Sequence, residues 1–312
     1  MNYFRSMSGL FILSVAACSA DAPPASTELA DSDAVPYEDV AVDGDDAAPP
    51  GDSSVADVAA APDTTLAPDT ATSDARTDAE TSPPAYDPCP PAGAPCVVMP
   101  LGDSITYGIA STSGGGYRIE LLRKARAAGH DVTFVGWETS GPDTLDGKPF
   151  PKSNEGHSGF TIDDAPSVGR SGLAPIVADS LKLHKPHIVT LMIGTNDIDQ
   201  NNDVTHAPER LGRLLDIITT TSPEALVVVA QIIPTGHDDE NALVRAYNTS
   251  IVSVVEARKS AGKHVVWVDM YGPFVANPAF KTAWMSDFLH PNDAGFVVMA
   301  KVWYDAIGGW FH

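Results

Sequence analysis

The residues best suited to covalent chemistry are a serine, a histidine and an aspartate in the later part of the chain. Ser104 lies in a Gly-Asp-Ser segment, and Asp287 and His290 lie three residues apart near the carboxyl end. A serine hydroxyl is a poor nucleophile until a base within hydrogen-bond reach takes its proton. His290 can be that base, and Asp287 can hold the imidazole and stabilise its protonated form. If the fold brings them together, these residue types can carry out acyl transfer as a Ser-His-Asp triad.

From residue 97 onward the sequence alternates between apolar strands and amphipathic helices. Strands are predicted at 97–101, 131–136, 187–193, 226–233 and 264–270, and helices at 117–128, 176–184, 208–220, 241–261 and 293–307. Apolar strands that alternate with helices indicate a parallel sheet covered on both faces. We therefore predict a three-layer α/β/α fold with a flavodoxin-like parallel sheet of about five strands. Open sheets of this kind place their chemistry at the carboxyl ends of the strands.

Four polar segments occupy such positions, at 102–106, 154–159, 194–197 and 287–291. Taken singly, each has an ordinary explanation as a turn, a loop or a surface hydrogen bond. Together and in this order they resemble the SGNH hydrolases, also called GDSL esterases and lipases, over essentially all of residues 97–312. Gly-Gly-Gly-Tyr-Arg, Glu-Gly-His-Ser-Gly and Met-Ile-Gly-Thr-Asn-Asp further resemble the type-3 carbohydrate esterases, which include acetylxylan esterases.

The resemblance implies a role for each matched residue. Ser104 matches the nucleophile, Gly159 the second-block glycine, Asn196 the third-block asparagine, and Asp287 with His290 the final pair. Attack on an ester carbonyl creates an oxyanion, which needs hydrogen-bond donors aimed at it. The backbone N–H groups of Ser104 and Gly159 and the side-chain amide of Asn196 can supply three. This chemistry requires no metal and no organic cofactor, and we expect neither.

A second segment partly matches a motif that carries a nucleophilic serine. Gly-His-Ser-Gly at 156–159 is similar to the G-x-S-x-G elbow, but Phe160 stands where the final glycine is needed. Ser158 is therefore interpreted as a loop residue. For His157 two roles stay open, which are lining the pocket and hydrogen-bonding the loop.

Other acidic residues are interpreted as structural. His-Asp-Asp-Glu at 237–240 contains metal-ligand residue types, but consecutive side chains converge poorly and the run precedes a predicted helix. Solvated first-turn acids are the better interpretation. Asp103 and Asp197 are expected to brace their loops rather than to react.

The net charge of −22 is concentrated ahead of the predicted domain. Residues 19–87 hold 17 of the 41 Asp and Glu residues but one of the 19 Lys and Arg residues, a net of −16. This stretch consists mainly of Ala, Asp, Pro, Thr and Ser, with only Tyr37 and Tyr86 as aromatic residues. It cannot bury enough apolar area to offset the entropy of ordering, so we predict a disordered acidic tether. The negative charge also disfavours nucleic-acid binding.

The first eighteen residues have the features of a lipoprotein signal peptide. Arg5 supplies a positive charge, and residues 9–17 are apolar but too few to span a bilayer. Val-Ala-Ala-Cys at 15–18 resembles a bacterial lipobox, which implies lipidation of Cys18. An ordinary signal peptide with an incidental cysteine is the alternative. We predict an exported lipoprotein of the cell envelope, with the outer membrane as the expected site, or an extracellular protein. In either case we expect contact with a membrane only through the lipid.

The remaining two cysteines, Cys89 and Cys96, lie seven residues apart around a turn rich in Pro and Gly. In an exported chain this spacing predicts a disulfide, with two free thiols as the alternative. A metal site is disfavoured because no matching Cys or His pair lies nearby. The predicted organisation is therefore a signal peptide at 1–18, a tether at 19–87 and a hydrolase domain at 88–312.

The substrate is the least determined property. No long apolar lid segment is visible, which favours a small acyl group such as acetyl on a carbohydrate. Aromatic residues in the loops at 137–152 and 271–284 suit either sugar stacking or the core. The expected partner is an acetylated polysaccharide or another small acyl ester, bound by a monomer. A general short-chain esterase or lysophospholipase and a catalytically silent carbohydrate-binding lipoprotein are the alternatives.

Overall fold

The computed structural model describes residues 86–312, so the predicted signal peptide, Cys18 and the tether up to residue 85 lie outside the described residues. The strands of the described part are β1 Cys96–Gly102, β2 Val132–Phe134, β3 Glu138–Thr139, β4 Thr144–Leu145, β5 Lys148–Pro149, β6 Ser153–Gly156, β7 Ile188–Met192, β8 Leu226–Ala230 and β9 Val265–Val268. Its α-helices are α1 Ser104–Tyr107, α2 Arg118–Ala127, α3 Ala174–His184, α4 Thr195–Asp199, α5 Ala207–Thr221, α6 Glu240–Ser260, α7 Tyr271–Val275, α8 Phe280–Ala283 and α9 Asp293–Ile307.

Strand β1 lies inside a sheet that has seven strands within the described residues. Strands β2, β1, β7, β8 and β9 form a parallel row in that order. Strand β6 pairs with the carboxyl end of β1 on the same side as β2, and β3 pairs antiparallel with β6. The five-strand row follows the chain order 2-1-3-4-5, which is the flavodoxin-like order. The predicted α/β fold is therefore confirmed.

Helices cover both faces of this sheet. Every residue of β7 and β8 is buried, as expected for parallel strands with helices on both sides. Helix α2 packs against α9, whereas α3 packs against α5 and α5 against α6. Because crossovers between parallel strands are right-handed and the strand order reverses after β2, these two groups lie on opposite faces. No helix within residues 86–312 is long and apolar enough to cross a bilayer.

The ends of the elements follow local chemistry. Helix α9 begins at Asp293, as predicted, because the Asn292 side chain accepts the N–H groups of Ala294 and Gly295. The predicted strand at 226–233 ends earlier, at Ala230. Strands β3 to β6 and helices α1, α4, α7 and α8 could not be predicted, because they are two to five residues long and too short for a hydrophobic period to show.

A disulfide and an aromatic stack hold the start of the domain. The structure joins Cys89 to Cys96 by the predicted disulfide. Tyr86 stacks on His264 with ring centroids 3.6 Å apart, and an oxygen of Asp87 lies 2.7 Å from Nε2 of His312. Tyr86 and Asp87, which the sequence analysis assigns to the tether, thus contact the folded domain.

Candidate active site

Ser104 is the first residue of α1 and follows β1, the strand at which the strand order reverses. Asp103 caps this helix, because its Oδ1 accepts the N–H of Ile105 at 3.0 Å. Gly102 is packed so closely that a Cβ there would lie 2.4 Å from the carbonyl oxygen of Met192. This tight connection holds Ser104 at the carboxyl edge of the sheet, where open α/β sheets bind their ligands.

Ser104, His290 and Asp287 form one hydrogen-bonded chain. The Ser104 Oγ lies 2.9 Å from Nε2 of His290, and Nδ1 of His290 lies 2.9 Å from Oδ2 of Asp287. If Asp287 accepts the Nδ1–H, the other ring nitrogen is left as the acceptor of the serine proton. Both distances are within the reach of proton transfer. The structure therefore brings together the three residues predicted as nucleophile, base and orienting carboxylate.

A local turn fixes the base and its carboxylate. Oδ1 of Asp287 accepts the backbone N–H groups of Leu289 at 2.7 Å and His290 at 2.6 Å. Burial raises the pKa of the Asp287 carboxyl, but these hydrogen bonds and the one from the imidazole outweigh burial and hold the pKa below its ordinary value. Asp287 is ionised at neutral pH and can stabilise a protonated His290.

The proposed oxyanion donors lie on the segments that follow β1, β6 and β7. Neither the Ser104 N–H nor the Gly159 N–H has an acceptor among residues 86–312. Gly159 adopts a φ of +80°, a left-handed conformation that favours glycine. The Asn196 amide donates one N–H to the carbonyl of Phe160 at 2.9 Å, which leaves its second N–H for a ligand. Because β6 and β7 both pair with β1, these segments meet beside the serine.

His157 forms a loop hydrogen bond. Its Nε2 lies 2.6 Å from Oε1 of Glu155, which is fully buried, and its ring stacks on Phe160 with centroids 4.8 Å apart. The other oxygen of Glu155 accepts from the Trp137 N–H and the Ser180 hydroxyl. Burial raises the pKa of Glu155, but the three hydrogen bonds outweigh burial and lower the pKa. His157 thus supports the segment that carries Gly159.

Asp103 and Asp197 brace the site, as the sequence analysis expects. Burial raises the pKa of Asp103 to about 6, and its Oδ2 has no partner among the described residues. Asp197 accepts from Arg210 at 2.9 Å and from the N–H of Ile162 at 3.0 Å. Burial raises the pKa of Asp197, and these bonds offset only part of that rise.

Ser158 and the run at 237–240, which the sequence suggests are not functional, lie outside the hydrogen-bonded chain from Ser104 to Asp287. Ser158 is exposed. In the run at 237–240, Asp238 pairs with Lys281 and Glu240 begins α6. Within residues 86–312 no group of three or more His, Cys, Asp and Glu side chains is arranged to hold a metal ion.

Three charged residues, Glu155, Arg118 and Arg210, are buried although the sequence did not predict it. Arg118 is fully buried and donates to carbonyls of Tyr107, Ser140 and Lys152, so it ties three loops together. Burial lowers the pKa of Arg118 to about 10. Burial of Arg118 and Glu155 could have been suspected only from the glycines that lie beside them in the sequence. Arg210 offers no such indication, because its position in α5 has the spacing of an ordinary exposed helix residue.

The aromatic residues of the two loops divide between core and surface. Phe150, Phe274 and Phe280 are buried, whereas Trp137 is 44% exposed. Phe288, which directly follows Asp287 and was not identified from the sequence, is 47% exposed. Trp137 and Phe288 therefore present aromatic rings to solvent, whereas Tyr271 and Trp284 are half-buried.

A Ser-His-Asp chain at the carboxyl edge of a flavodoxin-like sheet is the arrangement of an α/β serine hydrolase. Residues 101–297 match the GDSL-like lipase/acylhydrolase family, and the chain belongs to that family. The resemblance that the sequence motifs carry, and the expected class of carboxylic ester hydrolase, are confirmed at the level of the family.

Named relatives agree with this assignment. A multidomain esterase of Ruminococcus flavefaciens is 32% identical over 228 residues, which are 68% of this chain and 28% of that protein. A solved family 3 carbohydrate esterase of Clostridium thermocellum is 31% identical, with a TM-score of 0.58 over 70% of this chain and 98% of its own. A solved acetyl esterase with an acetate ion is 26% identical, with a TM-score of 0.55 over 68% and 96%. The chain thus spans just over a quarter of the curated relative and nearly all of both solved chains.

Proposed function

We propose that this chain is a serine esterase that removes acetyl groups from carbohydrate. The observation that carries the proposal is the hydrogen-bonded chain from Ser104 through His290 to Asp287. The acylhydrolase family supplies the reaction class. The acetyl group and the sugar alcohol are supported by relatives named acetyl esterase and carbohydrate esterase.

In the first half-reaction Oγ of Ser104 attacks the ester carbonyl carbon while Nε2 of His290 accepts the hydroxyl proton. The carbonyl oxygen becomes an oxyanion, for which Ser104, Gly159 and Asn196 supply the N–H donors. The bond to the sugar oxygen then breaks, and protonated His290 gives its proton to that oxygen. Acetyl remains on Ser104 as an ester.

In the second half-reaction water attacks the acetyl-serine carbonyl while His290 accepts a proton from the water. The same donors hold the second oxyanion. The bond to Oγ breaks, His290 returns the proton to Ser104, and acetic acid leaves and ionises to acetate in solvent. Asp287 stays ionised throughout and holds the Nδ1–H of the imidazole.

Hydrolysis of acetylated xylan, p-nitrophenyl acetate and p-nitrophenyl octanoate by the purified chain tests this proposal. We expect acetate release and a strong preference for acetyl over octanoyl. Ser104→Ala and His290→Ala should reduce turnover to near background, and Asp287→Ala somewhat less, because orienting the imidazole matters less than having it. Ser158→Ala, which removes a nearby exposed hydroxyl, should keep the activity.

The other outcomes of this assay identify the rival functions. Preference for octanoate would indicate a general esterase or lysophospholipase. Binding of acetylated xylan without hydrolysis of any ester would indicate a silent carbohydrate-binding protein.

We further propose that the chain is exported and anchored by lipid on Cys18, with residues 19–85 as a tether that ends where Tyr86 contacts the domain. The lipobox-like sequence and the acidic composition support this proposal. The 67 residues from 19 to 85 would give a flexible coil with a root-mean-square reach of about 40–50 Å. Cys18→Ser should move the protein from the detergent phase to the aqueous phase, and equal partitioning of both forms would refute the anchor.

A further inference from the structure

Arg170 places a guanidinium beside the glycine proposed for the oxyanion hole. A Cβ added to Gly159 would lie 2.8 Å from Nη1 of Arg170 and 3.8 Å from its Cζ. Standard backbone geometry separates N and Cβ of one residue by about 2.5 Å, so Nη1 lies within about 5 Å of the Gly159 nitrogen. A cation therefore lies close to the segment that carries one of the proposed oxyanion donors.

The loop that carries Arg170 is fixed to the site. Arg170 exchanges both backbone hydrogen bonds with Ala165, at 3.1 and 2.9 Å. Earlier in the same loop, the N–H of Ile162 donates to Oδ2 of Asp197 at 3.0 Å. Asp197 follows Asn196 in α4. The backbone of Arg170 is thus tied to the helix that carries the proposed oxyanion amide.

Nothing in the described part of the chain neutralises this guanidinium. No carboxylate within residues 86–312 lies within 4.0 Å of Arg170, whereas Arg210, Arg213 and Arg258 all have acidic partners. The two acids of its own loop are otherwise engaged. Asp163 lies 3.9 Å from Arg213, and Asp164 accepts the N–H of Gly172. Arg170 is also exposed, so a ligand can reach it.

We propose that Arg170 binds a carboxylate of the substrate, so that the enzyme favours acetyl esters on or next to uronic-acid units. This inference rests on the proposed esterase function. A guanidinium fork pairs with a carboxylate through two parallel hydrogen bonds. The transient oxyanion already has three donors, so a fourth is not needed there. Repulsion by distant acidic residues is screened beyond about 10 Å at 0.1 M salt.

Two mono-acetylated sugars that differ in one group test the proposal, an acetylated methyl glucuronide and the matching acetylated methyl glucoside. In the full chain, Arg170→Gln should lower kcat/KM for the glucuronide by about fivefold to tenfold, mainly through KM, and leave the glucoside within about twofold. Arg170→Lys should recover part of the loss. Lys263→Gln changes the net charge equally at an exposed position just before β9 and should alter neither substrate.

Binding to the Ser104→Ala protein separates this inference from the esterase function. Tighter binding of glucuronide than glucoside, lost on adding Arg170→Gln, would support carboxylate recognition even without turnover. Equal losses for both sugars would assign Arg170 to the loop or the oxyanion and overturn the proposal. Unchanged binding and turnover of both sugars in Arg170→Gln would overturn it as well.

Discussion

The side-chain amide of Asn196 has two N–H groups, of which one bonds the protein and the other can bond a ligand. One N–H is bonded to the Phe160 carbonyl, and the second is free for an oxyanion. Because this amide is expected to bind the oxyanion better than the ground-state carbonyl, Asn196→Ala should lower kcat with little change in KM. By analogy with other oxyanion donors the loss should be about 10²–10³-fold, or about 2.7–4 kcal/mol. Steady-state kinetics on an acetyl ester measures this.

A matched asparagine distinguishes catalysis from support. Asn202 is also buried and donates its amide to Asp197 at 3.3 Å. Asn202→Ala should lower Tm without a comparable fall in kcat. A wild-type kcat in a destabilised Asn196→Ala protein would assign Asn196 a purely structural role.

Asp103 is expected to make stability depend on pH. Its pKa is about 6 in the folded protein against an ordinary 3.8, so the folded state binds the proton more tightly than the unfolded state. Stability is therefore lost as pH rises from about 4 through 6, by about 3 kcal/mol in the limit. Asp103→Asn keeps the helix cap and removes this titration. We expect the Tm of the wild type relative to Asp103→Asn to fall between pH 4.5 and 7. A constant difference in Tm across this range would contradict the raised pKa.

At the scale of elements, one buried ion pair joins α4, α5 and the loop after β6. Arg210, on α5, is 9% exposed in its side chain and pairs with Asp197, whose side chain is fully buried. Arg210→Met should therefore cost about 3–5 kcal/mol of unfolding free energy, because it leaves a buried carboxylate without its cation. Denaturant unfolding measures this. Lys301→Met, which breaks an exposed pair on α9, should cost less than about 1 kcal/mol.

Adding Asp197→Asn to Arg210→Met supplies the control. The second substitution removes the stranded charge and should restore part of the stability. If the double variant is as unstable as the sum of the two single variants, the loss comes from packing rather than from charge.

The long elements could be predicted because each carries several turns of apolar periodicity or a continuous apolar run. Helix α9 and strand β7 are examples, with ends within a residue or so of the prediction. The residue types of the candidate triad could be predicted because their chemistry restricts the choice, and the structure places Ser104, His290 and Asp287 within hydrogen-bond distance. Glu155 could not, since its partner Ser180 lies 25 residues away and the contact exists only after β6 and α3 pack together.

At the scale of the whole molecule, the domain should fold and act without residues 1–85. Every element described above, and every residue proposed for the active site, lies within residues 86–312. Expressed alone, residues 86–312 should retain the kcat and KM of the full chain on p-nitrophenyl acetate. Residues 88–312 should keep activity but lose about 1 kcal/mol of stability, because the Tyr86 ring no longer stacks on His264.

Thermal unfolding and limited proteolysis of both fragments measure this difference. Tyr86→Phe in the 86–312 fragment keeps the stacked ring and loses only the hydroxyl contact to the Glu224 carbonyl. Rapid proteolysis of 86–312, compared with the full chain, would show that the earlier residues belong to the fold.

Both ends of the described chain lie at the edge of the sheet where the parallel strands begin. Tyr86 stacks on the residue just before β9, and Asp87 contacts His312, whereas Ser104 lies beyond the far end of β1. The seven residues of β1 separate these sides by about 20 Å. A polypeptide fused at either end therefore departs away from the catalytic edge. The domain is thus suited to use as a module whose neighbours can be exchanged or lengthened without covering the edge of the sheet that carries Ser104.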